Sequence, residues 1–104
     1  MSQKICVQFE VRNMMIMKDT LKSMGIDYEE INQNTVRIGR SYQDITIDGA
    51  KGTIKYDSAS SHEVNNIKQN YQINFYKDKA IREGMQLKEE RRANGEVALY
   101  LTHS

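Results

Sequence analysis

The stretch 60-SSHEVNNIKQNYQINFYKDKAIREG-84 decides the fold. Ser60 stands three residues before Glu63, the spacing of a capping box in which each side chain satisfies an unpaired amide at a helix start. Gly84 supplies a stop in the left-handed conformation. The spacing predicts a helix from about Ser61 to Glu83. At 100° per residue, Val64, Ile67, Tyr71 and Phe75 fall on one face, and Ile73, Tyr76 and Ala80 lie nearly opposite. Asp78 and Arg82 continue the first face, which turns polar towards its C-terminal end. Such a helix needs cover on two sides. The expectation is that the Tyr71/Phe75 face meets a sheet and that Ile73, Tyr76 and Ala80 meet a second subunit, weighed against cover of the later turns by the chain's own loops or first helix.

Everything before this helix reads as strands around one shorter helix. "KICVQFEV" alternates, with Ile5, Val7, Phe9 and Val11 on one side and Cys6, Gln8 and Glu10 on the other. Asn13 is placed to cap a helix carrying Met14, Met17, Leu21 and Met24 along one face, and Gly25 ends it. "DYEEI" and "TVRIG" read as strands joined by "NQN", and "DITID" and "TIKYD" as a pair joined by "GAKG". After Gly84, "MQLKEERRANGEVALYLT" reads as a hairpin turning at Asn94-Gly95, with Val97, Leu99 and Leu101 as its buried row. The order β-α-β-β-β-β-α-β-β predicts an α+β domain. Its expected form is a mostly antiparallel sheet with two helices on one face, related to the ferredoxin-like plan by an inserted hairpin.

Composition narrows the function classes. The chain has 104 residues, no proline and no Gly/Ser linker, which predicts a single domain, 1–104. An apolar share of 38% calls for a core that is thin and economical, or one completed by a partner chain. With 15 Lys and Arg against 14 Asp and Glu, there is no basic excess of the kind general nucleic-acid binding requires. A single cysteine, Cys6, excludes an internal disulfide and points to a reducing compartment. No signal-peptide core and no membrane-spanning run is visible, so a cytoplasmic location is expected, without membrane association.

Chemistry-bearing patterns are sparse. His62 and His103 are the two histidines, and neither sits in a metal-ligand spacing. Cys6 reads as a packed structural cysteine. Glu29-Glu30 and Glu89-Glu90 are neighbours on strands and so point to opposite faces, unsuited to a catalytic dyad. No catalytic constellation, metal site or cofactor is predicted. The loop "VRIGRSYQ" stands out. Gly39 permits close backbone approach, Arg37 and Arg40 can fork onto a phosphate or carboxylate, Ser41 can donate, and Tyr42 can stack on a ring. These five residues are the candidate site for an anionic ligand, weighed against an ordinary turn with exposed arginines. Arg91 and Arg92 at the hairpin tip are offset by Glu89, Glu90 and Glu96.

The C-terminal half, "IKQNYQINFYKDKAIREGMQLKEERRANGEVALYL", resembles the hypothetical chloroplast reading frame 35 family. The shared features are an aromatic-bearing helix (Tyr71), a Gly stop (Gly84), a Glu-rich strand (Glu89, Glu90), a Gly turn (Gly95) and an apolar strand from Val97 to Leu101. "LKSMGID" and "RIGRSY" are similar to further stretches of it. Family members usually carry tryptophans, and this chain has none. The family occurs in plastids, cyanobacteria, other bacteria and phages, and it has no assigned biochemical role. The resemblance therefore implies fold. Two functions are carried forward. One is a non-enzymatic accessory protein, homo-oligomeric with a dimer favoured, that contacts a protein partner. The alternative is an oligomer, phage-encoded in one setting, that sequesters an anionic small molecule such as a signalling nucleotide.

Overall fold

A computed structural model describes residues 3–103, without the side chains of residues 87, 101 and 103. The elements are β1 (Lys4–Gln8), α1 (Met14–Ser23), β2 (Glu29–Asn32), β3 (Thr35–Ile38), β4 (Ile45–Asp48), β5 (Thr53–Asp57), α2 (Ser61–Arg82), β6 (Met85–Arg91) and β7 (Val97–His103). The fold is α+β, with the element order read from the sequence. The chain packs as two compact units, Met1–Tyr71 and Gln72–Ser104, divided inside α2.

In the first unit, five strands form an antiparallel sheet in the order β1-β5-β4-β3-β2. β2 to β5 run up and down as neighbours, and β1 joins beyond β5 at the opposite edge from β2. The register explains the core. Val7 faces Ile54, Ile54 faces Ile47, and Ile47 faces Val36, a continuous apolar row across four strands. Ile38 and Ile45 pair beside it. Ile54, Ile47, Val36, Ile38 and Ile45 are fully buried, as are Met17 and Leu21 of α1 and Val64 and Ile67 of α2. Only one face of the sheet carries buried apolar residues, so α1 and the first half of α2 lie over that face. Lys18 of α1 closes the β2 edge by an ion pair with Glu30 at 3.1 Å. The other face is a polar row, Glu29, Arg37, Thr46, Lys55 and Cys6, each opposite the next. An antiparallel sheet tolerates this because its strands alternate apolar and polar.

The helix ends follow local rules with one exception. Asn13 caps α1 by accepting from the Ile16 N–H at 3.3 Å, and Gly25 and Gly84 take positive φ after α1 and α2. Tyr71 is buried, with its ring edge-on to Phe9 at 5.6 Å and its hydroxyl accepting from the Asn13 N–H at 3.3 Å. The expected capping box is not formed. Among the described residues, no hydrogen bond joins Ser60 to Glu63. A 3-10 turn, Ser58–Ser60, precedes α2 instead, and Asp57 caps it through the Ala59 N–H at 2.8 Å.

The second unit departs from expectation more. β6 and β7 pair only with each other among the described strands, so the hairpin is a separate two-stranded sheet and not part of the main one. In the ferredoxin-like plan the strand after the second helix returns to the sheet. Here β6 carries Lys88, Glu89, Glu90 and Arg91 in succession, which leaves neither face apolar. The turn also differs. Gly95 alone has positive φ, its N–H donates to Arg92 O at 3.0 Å, and Asn94 Oδ1 accepts from the Glu96 N–H. Val97 and Leu99 are half-exposed, not buried, and the side chain of Leu101 lies outside the described residues.

Candidate functional site

The loop between β3 and β4 is held from two sides. Arg37, on the polar face of β3, donates to Glu29 at 2.6 Å and lies 3.6 Å from Asp44. The hydrogen bond to Glu29, then its charge, raises the Arg37 pKa. Arg40 turns the other way. Its guanidinium forks onto Glu63 in the first turn of α2, with Nε 2.9 Å from Oε2 and Nη2 on Oε1. Its Nη1 also donates to Gly39 O at 2.6 Å. The Glu63 hydrogen bond raises the Arg40 pKa against the opposing effect of burial. Asp44 closes the loop by accepting from the Arg40 N–H at 3.2 Å.

The five predicted ligand residues therefore separate. Arg40, Ser41 and Tyr42 line a cleft of about 360 Å³ together with Ser60, His62 and Glu63 at the start of α2. Arg37 and Gly39 belong to a different cleft of about 290 Å³ with Asp27, Tyr28, Glu29 and Asp44. That second cleft has three carboxylates for one guanidinium, which makes it hostile to anions. A Cβ at Gly39 would meet nothing nearer than Asp44 Oδ1 at 4.0 Å, so no tight packing demands glycine there.

In the first cleft the charges of Arg40 and Glu63 balance. Tyr42 stands on the rim, 73% exposed, and Ser60 is 8% exposed. An entering phosphate must compete with Glu63 for Arg40. Sequence reading placed Glu63 and Ser60 in a helix cap and did not connect them with Arg40, 23 residues away. No spacing rule links a loop arginine to a distant helix start.

Of the residues expected at a subunit contact, Ile73 and Ala80 are already buried in the single chain, and Tyr76 is 38% exposed. Tyr76 is the exposed member of that face. Cys6 is exposed on the polar sheet face, not packed. Its side of β1 faces away from the core, and burial would require cover on the second sheet face. Glu29 and Glu30 diverge as predicted, one to Arg37 and one to Lys18. Among the described residues no group of three His, Cys, Asp or Glu side chains could hold a metal ion, and no helix is long and apolar enough to cross a membrane. The side chain of His103 lies outside the described residues. Comparison with family models, curated proteins and solved structures gives no match.

Proposed function

We propose that this chain acts by binding another polypeptide, as a non-enzymatic accessory protein, and that its second unit supplies the contact. One observation carries the reading: the β6–β7 hairpin has two strands and no fully buried residue among those described. A two-stranded hairpin is marginal in water, and further strands or packing against a helix are needed for independent stability. Tyr100 on β7 and Tyr76 on α2, 46% and 38% exposed, are aromatic side chains of the kind that anchor interfaces. Membership of the reading frame 35 family belongs to the same proposal and rests on the C-terminal residues quoted above.

The test is a photo-crosslinking amino acid placed at Tyr100 or Tyr76, with Thr46 on the polar sheet face as control. Protein adducts are expected from the first two positions. Adducts from Thr46 alone, or from none of the three, would overturn the reading.

The Arg40 cleft supports a second reading, binding of an anionic small molecule such as a nucleotide. Tyr42 is free to stack on a base, and Arg40 can exchange Glu63 for phosphate. A ligand that binds only the folded state raises its melting temperature. A rise with one member of a nucleotide panel, lost in Arg40→Ala, is expected. A flat response across the panel rejects this reading.

A further inference from the structure

The hairpin has two outer edges, and they differ in kind. β6 presents Lys88, Glu89, Glu90 and Arg91, whereas β7 has no Lys, Arg, Asp, Glu or Pro in its seven residues. Natural sheets guard an edge with charge, proline, a bulge or shortness. The main sheet follows that rule: β2 is short, carries Glu29 and Glu30, and has a register shift between Glu30 and Asn32, and β1 carries Lys4. β7 has none of these protections and is longer than either.

Hydrogen bonding fixes which backbone groups face outwards. The Arg92 N–H donates to Glu96 O at 2.8 Å, across the pair that continues the β6–β7 register. Along an antiparallel pair, successive residues alternate between bonding the partner strand and turning away from it. The N–H and C=O groups of Ala98, Tyr100 and Thr102 therefore face β6. Those of Val97, Leu99, Leu101 and His103 face the free edge.

We propose that β7 pairs antiparallel with β7 of a second copy of this chain, about a two-fold axis at Tyr100, to make a four-stranded sheet. This rests on the reading of the second unit as the contact surface and names its partner. Two features of β7 select a second copy. In a two-fold antiparallel pair one residue stands opposite itself, and full overlap of Val97–His103 requires that residue to be Tyr100. Leu99 then faces Leu101 of the partner subunit, and Ala98 faces Thr102 of the partner subunit. In addition, an uncharged strand meets its own copy without opposing like charges. The same operation on β6, with full overlap of Met85–Arg91, is centred on Lys88 and would place that ammonium opposite itself. Centred on Glu89 or Glu90, it would place that carboxylate opposite itself. The half-exposed Val97 and Leu99 of both copies fall on one face and extend it across four strands, beyond the minimum for a stable sheet.

Sizing in solution and a cysteine register test decide this. With Cys6→Ser as background, Tyr100→Cys is expected to form a disulfide-linked dimer under mild oxidation. Non-hydrogen-bonded antiparallel partners have Cα atoms about 4.5 Å apart, inside the range a disulfide spans. Leu99→Cys is offset from its own copy by two residues, about 7 Å along the strand, and is expected to link at least about tenfold more slowly. Leu99→Pro removes an outward N–H and spares the β6 ladder, and should convert the dimer to monomer. A wild-type monomer at about 100 µM overturns the proposal, as does equal linking at positions 99 and 100. The cysteine comparison holds even where Leu99→Pro fails to fold. A monomer whose Tyr100 crosslinks to a different protein rejects the second copy and keeps the binding reading. A monomer without adducts rejects both.

Discussion

Replacing Arg40 and Glu63 singly and together measures what holds the β3–β4 loop to the start of α2. The pair is a two-point fork between side chains 31% and 30% exposed, and Arg40 has a further hydrogen bond to Gly39 O. Hydrogen bonds to charged groups contribute about 1.5–3 kcal/mol when sheltered, and exposed ion pairs contribute at most about 1 kcal/mol. Partial exposure places the coupling between these, at about 1–1.5 kcal/mol. Glu63→Gln should cost that amount plus about 0.5 kcal/mol for the lost favourable charge at a helix N-terminus. Arg40→Met should cost the coupling plus about 1 kcal/mol for the Gly39 contact. The double variant should therefore lose less than the sum of the singles by the coupling itself. Urea unfolding followed by far-ultraviolet circular dichroism reads all four proteins. A coupling below about 0.3 kcal/mol would refute the fork as a structural clamp, leaving Arg40 free at little cost for a ligand.

Three further expectations test the packing. Ile47→Ala removes the centre of the apolar row between Val36 and Ile54 and should cost about 3–4 kcal/mol in the same urea assay, with Ile47→Val costing about 1 kcal/mol. Gly49→Ala should destabilise by about 1–3 kcal/mol, because the new Cβ would stand 3.0 Å from both Asn34 O and Met14 Cε. The Gly49 N–H also donates to Asn34 O at 2.7 Å, so the strand ends cannot separate without losing that bond; a neutral Gly49→Ala would show that the connection yields. Tyr71→Phe keeps the ring against Phe9 and removes the acceptor for the Asn13 N–H, for a cost of about 1 kcal/mol, read as a lower melting temperature.

Local chemistry made the elements legible. Alternation set the faces of β1 (Ile5, Val7), β4 (Ile45, Ile47) and β5 (Ile54, Tyr56), since a strand displays its side chains with a period of two whatever it packs against. Asn13, Gly25 and Gly84 marked helix ends because caps and left-handed stops are built from neighbouring residues. The capping box failed for the complementary reason. Ser60–Glu63 satisfies the pattern, yet Glu63 has a stronger charged partner in Arg40, and Asp57 caps the preceding 3-10 turn.

The candidate site was legible only in part. Its residue types were visible in "VRIGRSYQ", but strand alternation sends Arg37 to the polar face and away from Arg40. Which carboxylate each arginine meets depends on chain segments 8 and 23 residues away.

The sequence by itself thus determined the elements, their order and the apolar faces of β1, β4 and β5, because those depend on contacts along the chain. Tertiary structure decided that α2 belongs to two units, that the final hairpin forms a two-stranded sheet of its own, and that Ile73 and Ala80 are covered within one chain. These depend on what each face meets. Periodicity shows that a face is apolar, and only packing shows which surface removes it from water.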